Sequence, residues 1–284
     1  MRRDTAREAH QWGVIPTIGI VGGRGGIGSL FARILSEAGA TVLVSDRDTA
    51  LSNVEVAARS DLTLVAVPLR ATPSVLAEVA PHVRVDAALV SLGSLMEPAL
   101  PAMDACAGET FLLHPLFGPG RRNLQGTMMA LASPRGDPWH GWQEWLIGRG
   151  LPEQGLVMTT PEEHDRAMAV AQALLHGAYA ALAPELMGGL PDNDLVWATP
   201  TLRLQLALMS RILHQDPALY GDILALNRHT PLVFDRLIGR LATLRAAALE
   251  GPDAVAALFK AARDSLQPYG LNLAAEGTRL LGEQ

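Results

Sequence analysis

A histidine and a serine stand at the ends of two short apolar runs, His114 in TFLLHPLFGPG and Ser94 in VSLGSLMEP. In an open α/β sheet the carboxyl ends of the strands border the ligand crevice, so both residues belong at its edge. An imidazole beside a hydroxyl there can take the proton of an alcohol whose carbon loses hydride. A strand-end histidine satisfied by backbone is the alternative. Farther along, Arg203 and Arg211 lie eight residues apart in LRLQLALMSRILHQDP, slightly over two helical turns, and so share a helix face. Two guanidinium groups among apolar neighbours suit a dianionic acid, because guanidinium pairs bidentately with carboxylate; solvated surface arginine is the alternative. His164, Gln172 and His176 follow one another at steps of eight and four, again on one face of a predicted helix. With a twelve-residue gap and no carboxylate in register they make a poor zinc site, and no metal is expected.

A carbon that loses hydride needs an acceptor, and the chain has a place for one. Between Gly22 and Gly28 it packs five glycines into seven residues, and Gly23-Arg24-Gly25-Gly26-Ile27-Gly28 reads G-x-G-x-x-G. The first glycine of the motif permits a tight turn, the second lets backbone approach a pyrophosphate, and the third allows close helix–strand packing. The diphosphate would face the amides and positive dipole end of the following helix. Asp46 ends the next predicted strand, where a carboxylate bonds both ribose hydroxyls of NAD and repels a 2′-phosphate. NAD is therefore expected over NADP, although the neighbouring Arg47 softens the discrimination. A glycine-rich structural turn is the alternative.

The elements that must position these groups alternate. TIGIV, ATVLVS, LTLVAVP, AALVSL and TFLLHP read as buried parallel strands, bounded by Gly, Asp or Pro. Helical stretches such as Ile27 to Ala38 and Pro73 to Val79 lie between them, which predicts a doubly wound sheet. TMMALASP adds a later strand, with a helix around Pro138 to Ile147. From about Pro161 the chain turns Ala- and Leu-rich and helical in period, with Thr160 and Glu163 at capping-box spacing ahead of a helix of roughly twenty residues. Four further helices follow, each opened at or near a proline. The expected organisation is α/β: residues 1–159 as a Rossmann dinucleotide-binding domain and 160–284 as an all-α substrate and dimerisation domain.

The 284 residues are 49% hydrophobic and 18% charged, with a net charge of −6. That balance argues against nucleic acid as the main partner, since phosphate binding needs clustered Lys and Arg. The single cysteine, Cys106, permits no intrachain disulfide, which fits a reducing compartment. In AMDACAGE it reads as a small structural residue at a helix end, with a catalytic thiol as the alternative. The N-terminal MRRDTAREAHQW has no apolar h-region, and no window reaches about 18 uninterrupted apolar residues. A cytoplasmic protein without a membrane segment is expected.

The ordered set IVGGRGGIG, VPLRATPSVL, LGSLMEPAL, LHPLFGP, EEHDRAMAVAQALLH and TPTLRLQLALMSRILHQDPALYGDI resembles the prephenate dehydrogenase family, above all the dehydrogenase part of bifunctional chorismate mutase–prephenate dehydrogenases. The likeness runs from about Ile18 to the C-terminal end, and neither a mutase nor a regulatory domain is expected. It implies an oxidative decarboxylation, in which hydride passes to NAD while a ring carboxylate departs as carbon dioxide. By this resemblance His114 accepts the hydroxyl proton and Ser94 hydrogen-bonds the same region. Arg211 pairs with a substrate carboxylate, Arg203 supports the pocket, and His176, Gln172 and, with less weight, His164 help to hold the substrate. Val67 and Pro68 of VPLRATPSVL join the cofactor residues. The helical half forms a homodimer, with the active site between the domains.

One position departs from the family pattern. Where the family reads Ser-Val-Lys, this chain has Ser94-Leu95-Met96. A lysine there would oppose a ring ammonium by about 1 kcal/mol or more at contact, and Met96 removes that repulsion. The favoured substrate is therefore 4-amino-4-deoxyprephenate, giving 4-aminophenylpyruvate as in antibiotic pathways; prephenate itself is the alternative. Two other classes stay open, a different Rossmann oxidoreductase such as a 3-hydroxyacid or imine reductase, and a non-catalytic NAD-binding relative.

Overall fold

A computed structural model describes residues 16–136, 155–191, 195–267 and 269–282. The chain divides into two compact units between Met168 and Ala169.

The first unit is built on a seven-stranded sheet of order β2-β1-β3-β4-β5-β6-β7. Its strands are β1 (Thr17–Val21), β2 (Thr41–Ser45), β3 (Leu62–Val65), β4 (Ala88–Ser91), β5 (Glu109–Pro115), β6 (Met129–Arg135) and β7 (Leu156–Met158). The first five run parallel, as their near-continuous apolar composition predicts. β6 pairs antiparallel with β5, and the three-residue β7, too short to stand out in the sequence, runs parallel to β6. Helix α1 (Gly26–Glu37) buries Leu30, Phe31, Ile34 and Leu35 in a cluster with Ile18, Ile20, Leu64 and Phe111. A second cluster joins Val56 and Ala57 of α2 (Asn53–Arg59) and Leu76 and Val79 of α3 (Thr72–Val79) to Val65, Leu89 and Leu112. Each large side chain so buried contributes roughly 1.5–3 kcal/mol, an upper figure because the unfolded chain is itself partly collapsed. Helix α2 escapes the sequence reading, though Ser52 and Glu55 form a reciprocal capping box at its start. Cys106 follows the short α4 (Leu100–Met103), 2% exposed, where burial raises its thiol pKa and makes it inert. The helix expected around Pro138 to Ile147 and the N-terminal MRRDTAREAHQW lie outside the described residues.

Register sets the site. Val65 of β3 is opposite Ser91 of β4, and Ser91 is opposite Leu112 of β5. Ser94, in the turn after β4, and His114, next to last in β5, therefore lie at the same carboxyl edge of the sheet. Beyond β7, Thr160 and Glu163 cap α5 (Pro161–Met168) reciprocally, each N–H donating to the other's side chain at 3.2 Å. The Thr160 hydroxyl, which donates to the Glu163 carboxylate at 2.9 Å, and then the Thr160 N–H hold that carboxyl below the ordinary carboxylate range.

In the second unit, Ala169–Leu174 is a π-turn, followed by α6 (Leu175–Gly188), α7 (Pro200–Leu213), α8 (Pro217–Leu226), α9 (Thr230–Glu250), α10 (Pro252–Ser265) and α11 (Gly270–Leu280). Thr199 caps α7 by accepting from the Leu202 N–H, and Asp216 caps α8 by accepting from the Ala218 N–H. The π-turn corrects one expectation. The count that put His164, Gln172 and His176 on one face assumes an unbroken 3.6-residue helix, and a π-turn closes i→i+5 bonds instead. The stretch Pro161–Gly188 is long and apolar enough to cross a membrane by length and composition alone. Its first turns, however, carry Glu162, Glu163 and Arg166, and its buried His164 and Asp165 bond to each other.

The packing of α1 on β1 generates a stability prediction. A Cβ at Gly28 would lie 2.1 Å from the Gly22 carbonyl oxygen, a backbone atom that cannot step aside. Gly28→Ala is expected to destabilise by about 2 kcal/mol and to lower the melting temperature by roughly 5 °C. Thermal unfolding followed by circular dichroism checks it, and an unchanged melting temperature would contradict the tight packing.

Candidate active site

The glycine loop is held from the side by the end of β2. The N–H groups of Gly22 and Gly23 both donate to the Ser45 carbonyl, at 2.8 and 3.2 Å. The Asp46 carboxylate then accepts from Arg24 N–H at 3.0 Å through one oxygen and from Arg47 N–H at 2.8 Å through the other. The tight turn falls at Gly22, whose φ of +81° excludes other residues, one position ahead of the first glycine of the motif as read from sequence. Gly23 lies against Val44, and Gly28 against the Gly22 carbonyl. A cleft of about 1100 Å³ opens beside the loop, lined by Gly22, Arg24, Gly25, Asp46, Arg47, Val67 and Pro68 among others. Gly23, Gly26, Ile27 and Gly28 do not line that cleft. Their side of the loop is the start of α1, where Gly25 is the N-cap and no side chain caps the first amides. Uncapped helix amides beside a cleft that ends in a carboxylate fit a dinucleotide, with the pyrophosphate at the helix end and a ribose at Asp46.

The strand-tip histidine lies in a buried line of three side chains. His114 is 3% exposed, and its Nδ1 is 2.9 Å from Nε2 of His164. Nδ1 of His164 is 2.7 Å from Oδ1 of Asp165. The two rings meet edge to face, with centroids 5.0 Å apart at 80°. Asp165 also accepts the N–H of Met96 at 2.8 Å and that of Glu97 at 2.9 Å. The hydrogen-bond network assigns the tautomers. A carboxylate can only accept, so His164 carries its proton on Nδ1. Neutral His164 then accepts at Nε2 from the Nδ1–H of His114. That leaves Nε2 of His114 with a free lone pair, the form a general base needs. Burial, and secondarily repulsion from His164 when that ring is protonated, push the pKa of His114 down to about 3. Sequence reasoning gave His164 a minor substrate role and passed over Asp165, although the adjacent letters H-D inside EEHDRAM carry the signal.

The HPLFGPG loop after β5 joins this line to the nucleotide loop. Pro119 lies against Gly26, where an added Cβ would be 3.0 Å away, and Arg33 of α1 donates to the Arg121 and Arg122 carbonyls at 3.0 and 2.9 Å. Ser94 is half-buried on the turn after β4. Met96 is 1% exposed and packs in the apolar cluster with Leu89, Ala99 and Met103. The expectation that its side chain lines the substrate pocket is corrected to a core role, because an unbranched apolar side chain next to two others is drawn inward while its amide meets Asp165.

The second unit holds the remaining candidates. The guanidinium of Arg203 is committed to the Leu195 and Ala198 carbonyls, at 2.6 and 3.3 Å, and so braces the turn before α7. Arg211 is exposed near the far end of the same helix, and its charge is felt by Tyr220 on α8. The imidazole of His176 meets the Tyr220 ring edge to face at 4.8 Å, and burial lowers its pKa. Gln172 Oε1 and His176 Nδ1 are buried with no hydrogen-bond partner among the described residues. Tyr220 was not singled out from the sequence, where an isolated tyrosine in ALYGDI carries no pattern.

Family models match most of the chain. One described as the prephenate dehydrogenase nucleotide-binding domain covers residues 33–132, and one described as the prephenate dehydrogenase dimerization domain covers residues 160–253. A probable arogenate/prephenate dehydrogenase of Methanocaldococcus jannaschii is 31% identical over 247 residues, 79% of this chain and 55% of that protein. A T-protein of Enterobacter agglomerans is 33% identical over 213 residues, 72% of this chain and 55% of that protein. The chain thus spans about half the length of the curated relatives it matches. A crystal structure of A. aeolicus prephenate dehydrogenase in complex with hydroxyphenyl propionate and NAD+ superposes with a TM-score of 0.64 at 19% identity, covering 89% of this chain and 98% of that one, a likeness of fold.

The burial of His114 has a consequence for stability. Its imidazole is neutral in the fold down to about pH 3 but takes up a proton near 6.5 when exposed. Below pH 6.5 the unfolded chain therefore binds more protons than the folded one, and stability is lost as pH falls from 6.5 toward 3. This one group contributes a slope of at most about 1.4 kcal/mol per pH unit. Urea unfolding of wild type and His114→Gln across that range is expected to show the smaller slope in the variant; equal slopes would show that His114 is not buried neutral.

Proposed function

The chain belongs to the prephenate dehydrogenase family, and from that premise we propose that it catalyses the NAD-dependent oxidative decarboxylation of a prephenate-type cyclohexadienyl acid. The observation that carries this reading is the buried His114, whose Nδ1 is engaged by His164 and whose Nε2 is left as an acceptor, on the same sheet edge as the glycine loop. NAD, when bound, supplies the hydride acceptor. Gly22, Gly25 and the amides that open α1 hold its diphosphate, and Asp46, Arg24, Arg47, Val67 and Pro68 border its adenosine end. His114 takes the proton from the ring heteroatom, and Ser94 hydrogen-bonds the same atom. Loss of the ring carboxylate as carbon dioxide completes an aromatic ring, which drives the step. Arg211 receives a substrate carboxylate, with Gln172 and His176 lending their unpaired polar atoms.

The favoured ring substituent is an amine, so that the substrate is 4-amino-4-deoxyprephenate and the product 4-aminophenylpyruvate. The support is the absence of a lysine at position 96, where the resemblance implies one: the methionine in its place packs into the core and brings no cation to the ring. Prephenate, giving 4-hydroxyphenylpyruvate, is the second reading, and the name of the archaeal relative favours it. The protein acts as a homodimer through its helical unit. That unit exposes Leu232, Ile238, Leu241, Leu249, Phe259 and Leu271, apolar side chains that a second copy would cover.

Steady-state turnover with NAD separates the two ring acids. A kcat/KM for the amino acid at least about tenfold above that for prephenate, worth about 1.4 kcal/mol of discrimination, is expected; a preference for prephenate removes the amine reading. In the same assay His114→Asn is expected to lose about 10²- to 10⁴-fold in kcat while NAD affinity, read by fluorescence titration, stays within about twofold, since His114 does not line the nucleotide cleft. Sedimentation equilibrium is expected to give twice the chain mass; a monomer at micromolar concentration would refute the dimer.

A further inference from the structure

We propose that the proton removed by His114 comes to rest on His164, where Asp165 holds it, so that the three side chains act as one relay and Asp165 also sets the loop that carries Ser94. The inference rests on the reaction proposed above and adds two positioning residues to it.

The geometry gives the direction of transfer. A proton arriving at Nε2 of His114 makes an imidazolium whose Nδ1–H points at His164 Nε2 across 2.9 Å. Movement of that second proton leaves His114 neutral, now protonated on Nε2, and leaves His164 doubly protonated with its Nδ1–H on the Asp165 carboxylate at 2.7 Å. One O–H or N–H bond of the substrate breaks, one N–H bond forms at each histidine, and one N–H bond of His114 is given up; no electrons leave the relay. The final state is preferred because the positive charge then adjoins a carboxylate. On His114 it would be a buried cation whose one polar neighbour within the line is a second imidazole. Burial disfavours charge on His114 strongly, which agrees with this order of sites. Asp165 is only 1% exposed, so its charge is poorly screened by water and acts on His164 at close range.

The second role of Asp165 is separable. Its two oxygens also receive the N–H groups of Met96 and Glu97, the residues just after Ser94. A single carboxylate thus fixes the loop on β4 and the imidazole behind β5 in one register. Among the described residues, the titratable side chains shown in the line are His114 of β5 and His164 and Asp165 of α5, and Glu97 meets it through its backbone N–H.

His164→Gln cuts the relay and leaves both loop bonds to Asp165 in place. Its kcat is expected to fall about 100-fold or more, and the acidic limb of kcat/KM against pH is expected to move down by at least about one pH unit. The limb moves because protonation must then occur on buried, unassisted His114. Asp165→Asn is expected to move the limb the same way and, by loosening the Ser94 loop, to raise KM as well. A limb that stays put in His164→Gln, whatever happens to kcat, reduces His164 to packing and overturns the relay. So does a kcat within about threefold of wild type. Should the variants fail to fold, nitrogen-15 imidazole spectra of the wild-type protein decide: the relay requires His114 and His164 both protonated on Nδ1 in the resting state, and a proton on Nε2 of His114 overturns it. If wild type turns over neither ring acid while the spectra show both Nδ1 tautomers, the reaction assignment fails and the wiring stands.

Discussion

A carboxylate with almost no access to water, Asp165, accepts hydrogen bonds from two backbone amides and one imidazole. Such a group is tolerated only when its lone pairs are filled, because an ion stripped of water and left unpaired costs several kcal/mol. The constraint works in both directions. The amides of Met96 and Glu97 need a buried acceptor as much as Asp165 needs donors, and so the turn after β4 cannot drift from α5. The tautomer of His164 follows from the same carboxylate, and that of His114 follows from His164. The acceptor nitrogen at the strand tip is thus fixed by a residue two groups away in the line.

The nucleotide side of the first unit rests on a comparable exchange between backbone and carboxylate. Asp46 holds the Arg24 amide, and the Ser45 carbonyl holds those of Gly22 and Gly23, so the loop is shaped before any ligand arrives. Preorganisation of this kind removes ordering cost from binding. It also explains why the glycines differ in duty. Gly22 supplies the left-handed backbone, and Gly28 admits the helix to within contact of the Gly22 carbonyl. The Pro119 contact with Gly26 and the Arg33 bonds to the Arg121 and Arg122 carbonyls then tie the loop behind His114 to that frame.

Much of this was legible in the sequence because it is periodic or local. The five parallel strands are apolar runs between turn residues, the glycine loop is a contiguous motif, and the cap at Thr160 is read within a few residues. What escaped is either short or non-local. β7 has three residues, and α2 has seven with a mixed face. The π-turn at Ala169–Leu174 departs from the 3.6-residue period that a single-helix count assumes. Asp165 was invisible as a site residue because its partners lie 68 and 69 residues earlier in the chain. Adjacent to a histidine on a helix, it reads as one more solvated acid until the fold brings Met96 and Glu97 over it.

Position 96 shows why residue type and residue role have to be argued apart. Its amide is part of the Asp165 anchor, and any residue except proline supplies that amide. Its side chain sits in a closed apolar cluster beneath the turn. A lysine ammonium cannot remain there without a partner, so a lysine at this position would have to swing its long stem toward the strand edge to reach water. Methionine has no such demand and fills the cluster instead. Exchange of one for the other thus changes the side chain beneath the turn while the amide tether to Asp165 stays intact.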